Sequence, residues 1–133
     1  MSELGAQRHR ARERALEISY EASIKERNVA SILNELAIAP DLYTVAILKS
    51  AELNRARVEA LISAHLLDWT LDRLALIDRL IMTLAIGEML IEDAPPTAVV
   101  LDEAVELAKV YSTDGSGSFV NGVLAACASD LDG

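Results

Sequence analysis

From Leu74 to Ile91 the chain reads LALIDRLIMTLAIGEMLI, apolar on nearly every side of a helix. A helix that packs on one face carries one apolar stripe, so this segment has to be covered from several directions. Its most continuous part, Leu80 to Ile91, is interrupted by Thr83, Gly87 and Glu88. It falls well short of the roughly 20 residues that span a bilayer, so it reads as the hub of a core. With 133 residues and 52% hydrophobic side chains, the chain has material for one such core. Aromatic residues make up 4%, with six glycines and three prolines, a balance that favours aliphatic helix packing over a sheet sandwich. The expected fold is all-α, a compact single-domain bundle of about six to seven helices spanning residues 1–133, with residues 1–10 as a flexible basic leader.

The periodicities supply the partners of the hub. From Ala11, the residues Ala11, Ala15, Ile18 and Ala22 recur on one side of a helix and Leu16, Tyr20 and Ile24 on another, so this helix is expected to sit between two neighbours. Asn28 opens a short helix through Val29, Ile32, Leu33 and Leu36 that must stop before Pro40. Asp41 is a cap for a long helix running to Leu66, loosening near Asn54. After Pro95 and Pro96, Val100, Ala104, Leu107, Ala108 and Tyr111 form one stripe. The polar loop STDGSGS, residues 112–118, then offers Ser116 or Ser118 as the cap of a last helix.

The formal charge is -9, yet Arg8, Arg10, Arg12 and Arg14 fall within QRHRARER near the start. On a helix Arg8 and Arg12 share one flank, and Arg10 and Arg14 lie nearly opposite. Arg10 has Glu13, and Arg14 has Glu17, three residues on, a pairing worth roughly 0.2–0.5 kcal/mol. Arg8 and Arg12 have no such acid, so something outside the helix has to reward their placement. With the helix N-terminus adding positive charge, the stretch is a candidate phosphate site or, equally, a solvated basic turn. From Leu80 onward nine acids face the single Lys109, a surface suited to a basic protein rather than to nucleic acid.

Three stretches in this order resemble the NusB family of transcription antitermination factors: RHRARERALEISY at 8–20, LDRLALIDRLIMTLAIGEML at 71–90, and PTAVVLDEAVELAKVYSTDGSGSFVNGVLA at 96–125. Residues 26–66 match only in helical pattern. The resemblance implies an all-helical bacterial RNA-binding protein. It would bind boxA-type single-stranded RNA in nascent ribosomal transcripts together with NusE, a small-subunit ribosomal protein, within an RNA polymerase antitermination complex that reads through terminators. Carried over residue by residue, the RNA-binding set is Arg8, His9, Arg10, Arg12, Tyr111, Ser116, Phe119 and Asn121, the arginines holding phosphates and the rings abutting splayed bases. Phe119 has an alternative reading as a core residue near a helix start, and Asn121 as a loop-satisfying amide.

The sequence departs from the family pattern in four places, one of them Ala75 and Leu76, which replace the usual cap before the Asp78 helix. His9 stands where arginine is common, and neutral imidazole is a weaker phosphate partner. Gly115, Gly117 and Ser118 replace basic or bulky loop residues, and Gly87 replaces an aromatic residue at about 1 kcal/mol of helix propensity relative to Ala. No catalytic or metal-binding pattern emerges: His9, His65 and Cys127 are far apart, and DGSGS lacks the Lys-Ser/Thr of a phosphate loop. The expectation is therefore a non-enzyme with no cofactor and no metal, not membrane-bound, acting in the cytoplasm. One Cys127 and no apolar leader give secretion no support. NusB-like domains also accompany RNA cytosine methyltransferases, but a chain of this length leaves no room for one. The alternative is a non-catalytic interaction scaffold or homodimer with weak or lost RNA binding.

Overall fold

Ser2 starts the first helix: its hydroxyl oxygen accepts the Gly5 N–H at 2.9 Å, a cap worth about 1 kcal/mol. The computed structural model describes residues 2–67 and 69–132, and among them it contains seven α-helices and one 3-10 turn. They are α1 (Glu3–Ile24), α2 (Val29–Glu35), α3 (Leu42–Leu53), α4 (Arg55–Ser63), α5 (Leu76–Met89), α6 (Thr97–Tyr111) and α7 (Ser116–Asp132), with the 3-10 turn at Leu71–Arg73. Residues 3–10, expected as a flexible leader, are instead the first two turns of α1. The basic cluster therefore sits on a rigid element.

The all-α architecture is as expected, and α5 is its hub, packed against α1, α3, α4, α6 and α7. Ile81, Met82 and Ile86 of α5 meet Ala15 and Ile18 of α1, Ile47 of α3, Val58 and Ile62 of α4, Val100 and Ala108 of α6, and Val120 and Leu124 of α7 in one buried cluster. The stripe Ala11, Ala15, Ile18 and Ala22 is fully inside. On the other side only Leu16 is buried, while Tyr20 and Ile24 are exposed. Asn28 and Asp41 cap as the sequence indicates, accepting the Ser31 N–H at 2.8 Å and the Tyr43 N–H at 2.7 Å.

The single long helix expected from Leu42 to Leu66 is two. At Asn54 the backbone leaves the helical region (φ -102°, ψ 18°) and the side-chain amide donates to the Ser50 carbonyl at 2.9 Å. An Asn that bonds its own backbone competes with helix continuation. Gly87 also has a reason the sequence does not show. A Cβ there would lie 2.9 Å from Ala51 Cβ, and the Ser50 hydroxyl donates to the Gly87 carbonyl at 2.6 Å. The glycine lets α3 and α5 approach more closely than any side chain would permit.

Candidate nucleic-acid interface

The arginines of α1 divide by what the neighbouring helices place against them. Arg12 is 6% exposed. Its Nε donates to Glu88 Oε1 at 2.8 Å and to Oε2 at 3.1 Å, its Nη2 donates to Oε2 at 2.6 Å, and Glu103 Oε1 lies 3.8 Å from Nη1. Glu88, itself 2% exposed, also accepts the Tyr43 hydroxyl at 2.6 Å. Burial acts to lower the Arg12 pKa, but hydrogen bonding and charge from Glu88, with Glu103, outweigh it and leave the guanidinium more firmly protonated than usual. A buried charge survives only when paired in this way. The local acid that Arg12 lacks is supplied by α5: Glu88 takes its Nε and Nη2 donors, so an RNA contact by Arg12 would have to compete with that pairing.

His9 lies in the same network, with Nδ1 2.7 Å from Glu103 Oε2 and Nε2 3.6 Å from Glu13 Oε1. Glu13 accepts the Tyr111 hydroxyl at 2.7 Å, and this bond, ahead of desolvation, pushes the Tyr111 phenol pKa up. Acids of the second half of the chain thus reach back to α1, and part of the negative charge expected to attract a partner is spent internally. Arg10 is exposed and makes no ion pair among the described residues, not even with Glu13. Arg8 is half-buried, likewise without an acid, and its guanidinium carbon lies 4.8 Å from the centroid of the Tyr43 ring. Arg14 has the expected Glu17 partner at 3.5 Å.

The second patch has no cation, carries the exposed Asp114, and is partly closed. Ser116 is 3% exposed, and its hydroxyl donates to Asp78 Oδ2 at 3.1 Å within a cluster that includes Ser112 and Thr113. Ser112 donates to Asp78 Oδ1 at 2.6 Å. The hydroxyl proposed for RNA contact belongs to a clamp that holds residues 112–116 to the first turn of α5. Phe119 is half-buried against the core and lines a groove with Leu66, Leu67, Trp69, Gly122 and Val123. Asn121 is exposed on α7, and Tyr111, on the expected core stripe, is 44% exposed. The structure ties Tyr111 to the α1 edge through Glu13 and places Phe119 beside the connection between α4 and α5.

Sequence reasoning missed Tyr43, Asp78, Glu88 and Glu103 as organisers of this region. The signal for Glu88 was present, since a carboxylate amid the apolar residues of a core helix needs a partner. Nothing in a single sequence pairs it with Arg12, 76 positions away. Cys127 is buried, its thiol 3.6 Å from the Leu61 carbonyl and pushed up to about 11 mainly by burial. His65 pairs with Asp130 at 2.6 Å. No helix among the described residues is long and apolar enough to cross a membrane.

The NusB family model matches residues 9–129. The chain is 41% identical to the transcription antitermination protein NusB of Saccharopolyspora erythraea over 128 residues, covering 91% of this chain and 86% of that protein. The solved structure of T. maritima NusB superposes with a TM-score of 0.83 at 31% identity, covering 92% of this chain and 91% of the other. A NusB solved with NusE and dsRNA has a TM-score of 0.79 at 24% identity, covering 94% and 98%, a likeness of fold.

Proposed function

Because the chain belongs to the NusB family, we propose that it is a transcription antitermination factor working as a single, non-catalytic RNA-binding domain in the cytoplasm. Its ligand is boxA-type single-stranded RNA in nascent ribosomal transcripts. It binds that RNA together with NusE, and the assembly lets RNA polymerase read through terminators. The observation that carries the RNA reading is the split among the arginines. Arg12 is neutralised inside the fold, whereas Arg8 and Arg10 remain on a rigid helix with no carboxylate partner among the described residues. Uncompensated guanidinium groups on a helix face suit a phosphate backbone. The contact set for this role is Arg8, Arg10, Tyr111, Phe119 and Asn121, with His9 at the rim, held between two carboxylates. Phe119 and Asn121 supply ring and amide but no charge, so affinity rests on α1 and on NusE.

Titration of labelled boxA RNA over a range of salt tests this. Arg8→Ala with Arg10→Ala should weaken binding and flatten the salt dependence by about 0.7 per lost phosphate contact. NusE should raise the affinity of the unmutated chain. An unchanged salt slope in the double variant removes α1 as the phosphate site, and no gain from NusE favours a scaffold or homodimer that has given up RNA.

A further inference from the structure

Arg8 and Arg12 lie one turn apart on the same flank, yet they are held in chemically opposite ways. Glu88 takes three hydrogen bonds from Arg12 and cancels its charge. Arg8 is held by the face of the Tyr43 ring, which consumes none of its N–H donors and none of its charge. The ring is itself fixed at both ends. The Tyr43 hydroxyl donates to the buried Glu88 at 2.6 Å, and its backbone N–H donates to Asp41 at the start of α3. That end of α3 is pinned to α1 on either side of Arg8, by Gln7 donating to Asp41 at 2.9 Å and by Thr44 donating to the Ala11 carbonyl at 3.1 Å. A surface arginine without an acid ordinarily samples many rotamers and loses them on binding. Here the platform is built into the packing of α1 on α3.

We propose that Tyr43 is a positioning residue for the RNA site: its ring, locked by Glu88, holds the Arg8 guanidinium in a fixed place with its donors unspent, ready for a phosphate of the bound strand. The inference rests on the reading of α1 as an RNA-binding edge. The buried pair Arg12–Glu88 then has a second role beyond folding, because Glu88 fixes the ring on which a functional arginine rests. Ordering a flexible side chain costs enough that losing the platform should weaken RNA binding by about two- to tenfold.

A double-mutant cycle in the full chain tests it. Tyr43→Leu should weaken boxA RNA binding by that factor when Arg8 is present and have no further effect in the Arg8→Ala background, while Tyr43→Phe, which keeps the ring but loses its bond to Glu88, should lose less than Tyr43→Leu and more than nothing. Equal losses from Tyr43→Leu in both backgrounds would show that Tyr43 acts through the fold or through its own contact, and would overturn the proposal. If Arg8→Ala alone changes neither affinity nor salt slope, the α1 reading falls and the proposal with it. If Arg8→Ala weakens binding but Tyr43→Leu does not, only the positioning role falls. A measurement on the unmutated protein stands apart from any folding defect. The Arg8 side-chain protons should resonate upfield of those of Arg10 through shielding by the Tyr43 ring, and unshifted values would also overturn it.

Discussion

The α1 edge and the edge at the turn between α6 and α7 hold their polar groups by opposite means. Along α1, one buried ion pair and its polar neighbours interlock across three other helices, Arg12 with Glu88 of α5, His9 with Glu103 of α6, and Tyr43 of α3 closing on Glu88. At the other edge, neutral hydroxyls of Ser112 and Ser116 gather on one carboxylate, Asp78. The two constructions leave different things outside. The α1 edge presents guanidinium groups that the interior did not use, whereas residues 112–122 contain no cation at all and present an exposed carboxylate, Asp114, with a half-buried ring and an exposed amide. In this molecule one arginine is buried against a distant acid and its neighbour one turn away is left without one. Residue type does not separate them, and partner geometry does.

The comparison breaks most visibly at Glu88. Glu88→Ala leaves Arg12 buried without a counter-charge, and chemical denaturation should show a loss of about 3–5 kcal/mol. A loss under about 1 kcal/mol would mean that the α1 network is no stronger than a surface pair. Asp78→Ala should cost less, about 1–3 kcal/mol, because the orphaned groups are neutral hydroxyls that still reach each other at 3.1 Å. If Asp78→Ala matched Glu88→Ala, the distinction between a charged and a neutral interlock would be lost. Arg12→Ala belongs with Glu88→Ala: any fall in RNA affinity it causes should scale with lost stability, which hydrogen exchange and RNA titration on the same sample will separate.

Much of this was legible in the sequence where the signal is local. The hub α5, the caps Asn28 and Asp41, and the amphipathic α6 follow from periodicity and from side chains that bond within a few residues. The break at Asn54 was visible only as a loosening, since helical period persists across it and a single side-chain bond decides the outcome. The candidate site was legible in composition and not in role. The expected pairing comes out reversed: Arg10 has no ion pair with Glu13, which meets His9 and Tyr111, and Arg12, expected to lack an acid, has Glu88. Local acids do not decide pairing when a tertiary contact offers a drier, better-aligned partner. Gly87 reads as a helix defect in sequence and is the contact point of α3 and α5 in three dimensions.

The smallest effect is also the one that sharpens the comparison. Ser118 is exposed on the first turn of α7, beside Phe119 on the same groove, at the edge that lacks cations. Ser118→Lys adds one there without touching the Asp78 clamp. If the strand runs from the α1 edge past that groove, the new ammonium should meet a phosphate, tightening boxA RNA binding modestly and steepening the salt dependence by about 0.7. The same substitution at Ser63, exposed at the end of α4, supplies the control for net charge alone. Equal responses at the two positions would mean that the cations act only through the overall charge of the protein. A response confined to Ser118 would place the strand across both edges, with α1 gripping its backbone and α7 supplying the surface against which the bases lie.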